Sequence, residues 1–341
     1  MSHLLHPLQP TTPFRSQLVI VFFIAVLCLI VCLASQYITG IDYLPLIWAI
    51  QLEAKGLSSY GPEMAALFQE YYDEPYASGG FAYPLTALWL ALPVAFLPES
   101  VQKTVWLLLS VGSIILGMKL LRMPASLFLF TPLIRGIAIL QNSVLLIGLS
   151  LIAIWAMRQK RWQLLAWLTV LIGIAKPQTS LFIAIFFCIA LFRAKAWKYL
   201  FIPTAIFVGV PFLIEPTWIN NWLVNAQIYN RAVSQIWLWY WIPIALFCFW
   251  QKQFWPGIAL LQVSFFPTLS QPYPLLPLLF AYIDMRSNRH AWIIVISSWS
   301  VLFFNQLLPF WLVLLLCYVV PLIWIVWRQN NLIPSQEKLT P

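Results

Sequence analysis

Apolar residues run along this chain in blocks rather than at spaced positions. The blocks cover 17–38, 81–97, 102–121, 141–157, 162–175, 178–192, 199–214, 236–250, 254–270, 272–283, 291–306 and 308–327, with short polar or basic joints between them. Segments that are hydrophobic all round predict helices that are enclosed by other helices or face lipid. A helix needs about 20 residues to cross a bilayer, with a lower limit near 17. The shorter blocks therefore predict tilted, broken or re-entrant segments. Residues 123–139 are also apolar, but Pro124, Pro132 and Arg135 interrupt them, and they read as a re-entrant segment. Two stretches, 39–80 and 215–235, break the apolar pattern with polar side chains.

The first polar stretch has its own periodicity. Asp42 is placed to cap a helix that tolerates Pro45 in its first turn and stops at Gly56. On that helix Leu44, Ile47, Trp48 and Leu52 share a face. A second helix can start at Pro62, with Met64, Leu67, Phe68 and Tyr71 on one side. Two amphipathic helices lying on a membrane surface are expected.

Composition turns this pattern into a class. The chain has 341 residues, of which 62% are hydrophobic and 9% charged, whereas soluble domains carry about 25% charged residues. This excludes a soluble enzyme and a nucleic-acid binder, and points to an all-α polytopic membrane protein of about 11–13 transmembrane helices. The net charge of +9 then bears on orientation rather than on polyanion binding. The basic clusters Arg158–Lys160–Arg161 and Arg193–Lys195–Lys198 flank short joints and are expected inside. With them go Lys103, a cytoplasmic tail at 1–16 and a second at 328–341, while Lys119 and Arg122 fall outside. The polar stretches 39–80 and 215–235 and the Lys176-Pro177 turn are then extracytoplasmic, as in a multi-pass protein of a bacterial inner membrane. The five cysteines lie in apolar blocks and read as buried thiols.

Acidic residues locate the candidate chemistry. Asp42, Glu53, Glu63, Glu70, Asp73, Glu74 and Glu99 are seven of the ten acids in the chain. Asp42 stands a few residues beyond the first apolar block, at headgroup level. There it is either a helix cap or a carboxylate made basic by partial desolvation. Lys176 sits between two apolar blocks, as a snorkelling lysine or a fixed cation. Arg135 and Arg231 are further candidates for binding phosphate. Asn221 and Asn225, among the aromatic residues of 215–235, suit sugar recognition, although Trp and Tyr also populate interfacial belts. Gly-rich phosphate loops, His-Glu-x-x-His and the Gly-x-Ser-x-Gly elbow are absent from the sequence, and no metal site or cofactor is expected.

The order of these features resembles a known family. Gly40-Ile41-Asp42-Tyr43 follows the first block, and Phe81-Ala82-Tyr83-Pro84-Leu85 opens the second. Gln141-Asn142 begins a later one, and Ala175-Lys176-Pro177 makes an outer turn. This resembles the family-87 glycosyltransferases of the C-type superfamily, which use polyprenyl-phosphate sugars and include mycobacterial phosphatidylinositol-mannoside mannosyltransferases. The chain departs from the family in having Tyr83-Pro84-Leu85 for Tyr-Pro-Pro and Leu140-Gln141 for Gly-Gln. The resemblance implies a single transmembrane catalytic domain over 17–327. It implies inverting transfer of a hexose such as mannose to a lipid or glycan acceptor. Asp42 would be the general base, with Lys176, Arg135 and Arg231 at the donor phosphate. Tyr43, Tyr83, Gln141, Asn142, Asn221 and Asn225 would contact sugar or acceptor. A transporter or flippase of lipid-linked intermediates is the competing expectation.

Overall fold

The computed structural model describes residues 42–72, 80–232, 235–266, 272–304 and 307–325. The expected first span at 17–38, both tails, Cys28, Cys32 and the Asp73–Glu74 pair lie outside the described residues. The fold is all-α and rich in helices. In chain order the helices are α1 (Leu44–Ala54), α2 (Pro62–Tyr71), α3 (Leu88–Ala95, entered through a 3₁₀ turn at Leu85–Ala87) and α4 (Glu99–Leu121). Next come α5 (Thr131–Ala138), α6 (Asn142–Arg158), α7 (Trp162–Ala175), α8 (Pro177–Arg193), α9 (Trp197–Ile214) and α10 (Trp218–Ala232). A last group comprises α11 (Ile242–Trp250), α12 (Phe254–Phe265), a 3₁₀ run at Tyr273–Tyr282, α13 (Asn288–Trp299), α14 (Val301–Phe304) and α15 (Phe310–Ile325). Two helices, α4 and α9, are long and apolar enough to cross a membrane.

The chain forms two compact units. Of the described residues, one unit holds those from Asp42 to Leu121 and from Gly136 to Gln235, the other those from Arg122 to Arg135 and from Ile236 to Ile325.

In the first unit, α1 and α2 form where the turn chemistry expects them. Pro45 lies in the first turn of α1, and Gly56 ends the helix at φ 73°, a conformation that costs glycine nothing. Gly61 and Pro62 start α2, with Glu63 in its first turn at the positive end of the helix dipole. Only α2 is amphipathic, burying Met64 and Phe68. Helix α1 is buried nearly all round, including Leu44, Leu46, Ile47, Ala49, Ile50 and Leu52. The expected surface helix is therefore a core element, packed between α2 and α3.

One apolar block forms less helix than its length suggests. The block 81–97 folds as the short segment Leu85–Ala95, with Pro93 inside it. At 1.5 Å per residue it extends only about 16 Å, too short for a bilayer core. It leans on α1, where Gln51 reaches the Ala95 carbonyl, and Gln102 of α4 donates to the Leu97 carbonyl at 2.9 Å. Helix α4 starts at the same end as Asp42. It runs parallel to α6: Trp106 Nε1 donates to the Leu140 carbonyl (3.1 Å), while Gly117 faces Leu151 and Gly148 faces Ser113 further along. Lys103 moves to the Asp42 end. Lys119 moves to the opposite end, with Arg158 and the other basic residues after α6.

Helix α8 is parallel to α6, since Ser143 Oγ and Thr179 Oγ1 meet at 3.0 Å near their N-termini. Helix α7 runs back between them, and Ser180 Oγ donates to the Ile172 carbonyl. In α9 a π turn at Ala205–Gly209 opens the backbone ladder. The Phe207 carbonyl there accepts from Trp89 Nε1 at 3.1 Å, and the Phe207 ring packs edge-on to Trp89 and Trp167.

The helix ends themselves carry the basic residues. Arg122, Lys160, Lys195 and Lys252 have φ between 55° and 60°, the left-handed position just after a helix. At Lys160 the two closing bonds are Lys160 N to the Met157 carbonyl (3.1 Å) and Arg161 N to the Ala156 carbonyl (2.8 Å). A lysine in this conformation costs about 1–2 kcal/mol. It also sets a cation against the negative end of the helix dipole, which offsets part of that cost.

In the second unit, Thr131 Oγ1 meets Ser298 Oγ at 3.0 Å, and Trp299 Nε1 donates to the Leu129 carbonyl at 2.8 Å. Phe130 packs edge-on to Tyr282 and Tyr318. Of the cysteines, Cys188 is half-buried, Cys248 and Cys317 are buried, and all three are free thiols.

Candidate functional site

Four polar side chains meet at the Asp42 end of the first unit, from positions far apart in sequence. Asp42 directly precedes α1, and its backbone N–H donates to the Ile139 carbonyl at 3.3 Å. It does not cap the helix. The capping position is Tyr43, with no side-chain cap bond, and the Asp42 carboxylate turns instead to Gln141, whose Nε2 donates to Asp42 Oδ2. Gln141 Oε1 in turn accepts from Lys176 Nζ at 2.8 Å, and Asn142 Oδ1 accepts from the same ammonium at 2.9 Å. Lys176 Nζ also lies 5.3 Å from the centre of the Tyr83 ring, a cation–π contact.

Local chemistry explains why each group stands where it does. Lys176 precedes Pro177, and the proline ring disfavours a helical conformation in the residue before it. Helix α7 therefore stops at Ala175, Lys176 is extended (φ −153°, ψ 85°), and α8 begins with its proline in the first turn. Gln141 is likewise extended at the start of α6. The residue before it, Leu140, has φ 53° and closes α5 through Leu140 N to Ile137 O (3.0 Å) and Gln141 N to Gly136 O (2.8 Å). That is the position where a glycine fits without strain. Here a buried leucine takes it, and the burial of its side chain opposes a strain of about 1–2 kcal/mol.

Both charged groups are densely surrounded by protein, although each keeps some accessible surface. Burial pushes the Asp42 carboxyl up to about 6, against the opposing pull of Lys176. Burial draws the Lys176 ammonium down to about 8, against the pull of Asp42. Tyr72, at the end of α2, is raised first by burial and then by the nearby Asp42 charge and by Tyr71 and Tyr229. The N-termini of α6 and α8 both open at this cluster, and the positive ends of their helix dipoles favour an anion. Asn142 is fully buried, and its Nδ2, which faces the Tyr83 hydroxyl, makes no hydrogen bond of ordinary geometry.

The remaining expected residues separate from this group. Tyr43 is buried and stacks on Trp106 (ring centres 5.5 Å, 20° between planes). The polar atoms of Gln141 are both engaged by protein side chains, Nε2 by Asp42 and Oε1 by Lys176. Asn221 Nδ2 donates to Glu215 Oε1 at 2.8 Å and holds the start of α10. Asn225 faces Gly80, near where Trp222 Nε1 donates to the Ala82 carbonyl at 3.0 Å. Arg231 is exposed on the last turn of α10, and Arg135 is exposed on α5 in the other unit.

Sequence reasoning did not find Tyr72 as a neighbour of Asp42, nor the network tying α1 to the loop before α10. There Ser59 donates through both N and Oγ to Glu53 Oε1 (2.8 and 2.6 Å), and Ser58 Oγ donates to Glu215 Oε1 at 2.8 Å. Burial raises the Glu53 carboxyl, and Glu215 beside it adds to the rise. A Ser-Ser pair 157 residues from its partner carries no periodic signal that could have revealed this.

Comparison with protein-family models, with curated proteins and with solved structures finds no match. Among the described residues no three His, Cys, Asp or Glu side chains are grouped to hold a metal ion.

Proposed function

We propose that this chain is a multi-pass membrane glycosyltransferase. In this reading it moves a hexose such as mannose from a polyprenyl phosphate to a hydroxyl of a lipid or glycan, on the extracytoplasmic face of a bacterial inner membrane. The observation that carries the proposal is the pairing of a desolvated, basic carboxylate with a buried ammonium at the convergent N-termini of two helices.

A general base and an anion site are the two things such a transfer needs. The acceptor oxygen forms its bond to the anomeric carbon as its proton passes to Asp42. The bond from that carbon to the phosphate oxygen breaks, the electron pair leaves with the phosphate, and the configuration inverts. The negative charge gathering on the phosphate meets Lys176, which has an N–H beyond the two given to Gln141 and Asn142. It also meets the α6 and α8 N-termini and the unpaired Asn142 Nδ2. The resemblance in motif order adds the class of donor.

The membrane reading rests on α4 and α9 together with apolar side chains turned outward. Leu213 is 84% exposed, and Leu108, Phe201 and Ile202 are each above 60%. Patches of this extent suit lipid rather than water. Basic residues at one end of α4, α6 and α8 and an acid-bearing end opposite suit a bundle with its basic side inward. A cysteine replacing exposed Lys55, just after α1, is then expected to react with an impermeant thiol reagent added to intact cells. Reaction only after permeabilisation reverses the orientation.

Purified protein with labelled polyprenyl-phosphate hexoses and membrane lipids is expected to form a labelled glycolipid or glycan. The rate should rise with pH through about 6, as Asp42 loses its proton, and fall through about 8, as Lys176 loses its own. No transfer from any donor, with lipid scrambling observed instead, favours the transporter. Against a transporter, the ionisable cluster lies at the ends of helices rather than at their midpoints.

A further inference from the structure

We infer that Gln141 is a positioning residue, whose side-chain amide keeps Asp42 and Lys176 from closing into a direct ion pair and so preserves the carboxylate as a base. This rests on the reading of Asp42 as the base, and it assigns a role to a residue that touches neither sugar nor phosphate.

The argument begins with what the amide end of glutamine offers. It is neutral, and it presents one acceptor oxygen and one NH₂ donor on the same planar group. Between a carboxylate and an ammonium only one orientation works, with the NH₂ toward Asp42 and the oxygen toward Lys176. The reverse sets oxygen against carboxylate and NH₂ against ammonium. The contacts follow the workable orientation: Nε2 to Asp42 Oδ2, and Oε1 from Lys176 Nζ at 2.8 Å. Among the described residues, no protein group hydrogen-bonds the other Asp42 oxygen, Oδ1, which is left for an acceptor hydroxyl.

Direct contact would undo both partners. An ammonium against the carboxylate favours its charged form and lowers its basicity. It would also occupy the cation needed at the leaving phosphate. The other titratable groups facing Asp42 are Tyr72, from the end of α2, and Tyr83, ahead of α3. Both are phenols and neutral near pH 7, so among the described residues Lys176 is the cation whose distance from Asp42 matters. The backbone fixes that distance from the Gln141 side. Leu140, in its left-handed conformation, and the bond from Gln141 N to Gly136 O set where the side chain starts.

The test reads the Asp42 carboxyl itself, independently of catalysis. The chain has three aspartates, Asp42, Asp73 and Asp284. Carboxyl-¹³C aspartate labelling with infrared titration, and subtraction of an Asp42→Asn sample, isolates the band of Asp42. Gln141→Ala removes the spacer and leaves room for Lys176 to reach Asp42, and the Asp42 titration is expected to move down by about one pH unit or more. Gln141→Glu sets a second carboxyl against the first, and the titration is expected to move up by a similar amount. Opposite shifts from one site are not what general loosening produces, because loosening moves both variants toward the ordinary aspartate value. In the transfer assay the acid limb of the rate profile should shift in the same two directions. The donor KM of Gln141→Ala should rise with the loss of kcat, because Lys176 is drawn away. If the Asp42 titration stays at its wild-type position in both variants, or moves the same way in both, the positioning role is wrong. Wild-type protein that transfers no sugar, while the two opposite shifts are observed, overturns the proposed function and leaves the spacer role standing.

Discussion

Asp42→Asn is expected to lower sugar transfer by about 1,000-fold or more while leaving the protein folded and donor binding near normal. General-base catalysis contributes about 10²–10⁴-fold, and among the described residues no second carboxylate hydrogen-bonds Gln141 to take over the proton. Asparagine has the shape of aspartate and keeps an oxygen to accept from Gln141 Nε2, so the cluster loses a charge rather than its packing. Lys176 stays, and with it the site for the donor phosphate, so the change belongs in kcat rather than in the donor KM. Initial rates over donor concentration check this; a variant with a tenth of the wild-type rate or more sinks the base assignment.

The same substitution is expected to change how stability responds to pH. The folded Asp42 carboxyl titrates near 6, above its unfolded value of 3.8. Between those values the folded state binds the proton more tightly. Stability is therefore highest below about 3.8 and declines as pH rises through about 6. The shift corresponds to about 3 kcal/mol at most, the attraction of Lys176 being already contained in it. In Asp42→Asn this decline should vanish from denaturation curves taken at pH 4 and pH 7. Persistence of the full decline assigns it to another group, with Glu53 the first alternative, since its carboxyl is raised as well.

The second large effect lies in packing. Gly148→Leu is expected to give no folded protein, and Gly148→Ala a folded but clearly less stable one. A Cβ at Gly148 meets Ser113 Oγ and would stand 2.7 Å from Ser113 Cβ and 2.8 Å from Ile114 N. Across the same seam a Cβ at Gly117 would stand 2.6 Å from Leu151 Cβ. Backbone atoms cannot swing away as the end of a side chain can, so α4 and α6 would have to separate. Overpacking costs about 1–3 kcal/mol for a small addition and more for a large one. Small residues at such a seam are what let two helices approach closely. Gly112, also on α4, has open space around its Cβ position. Gly112→Ala should raise stability by about 0.5–1 kcal/mol. Thermal unfolding of the three variants side by side checks the contrast. Equal behaviour of Gly148→Ala and Gly112→Ala would mean that α4 and α6 are not in this register.

Several parts of the architecture were legible before any coordinates. Pro62, Gly61 and the spacing of Met64 and Phe68 sufficed for α2, because caps and amphipathic periods are local. The end of α7 at Ala175 followed from Lys176 standing before a proline, again a local steric rule. The burial of α1 was not legible. Its apolar residues surround the helix, and such a pattern cannot say which neighbour covers each side. The length of helix in the block 81–97 was not legible either, because apolar length alone does not reveal that the segment holds a 3₁₀ turn at Leu85–Ala87 and a helix only over Leu88–Ala95.

The amino-acid sequence by itself determined the helical class, the turn positions and the rarity of charge that makes Asp42 and Lys176 stand out. These depend on side-chain volume, backbone sterics and transfer free energy, which act within a few residues. Only the tertiary structure decided that Asp42 turns to Gln141 rather than to its own helix, and that Gln141 also receives Lys176. It likewise decided that α4 runs parallel to α6. The bonds joining Asp42, Gln141 and Lys176 bridge 99 and 35 residues, and no short-range rule acts over such separations. They form because a desolvated carboxylate and ammonium need partners, and the packing of α4, α6 and α8 leaves those partners within reach.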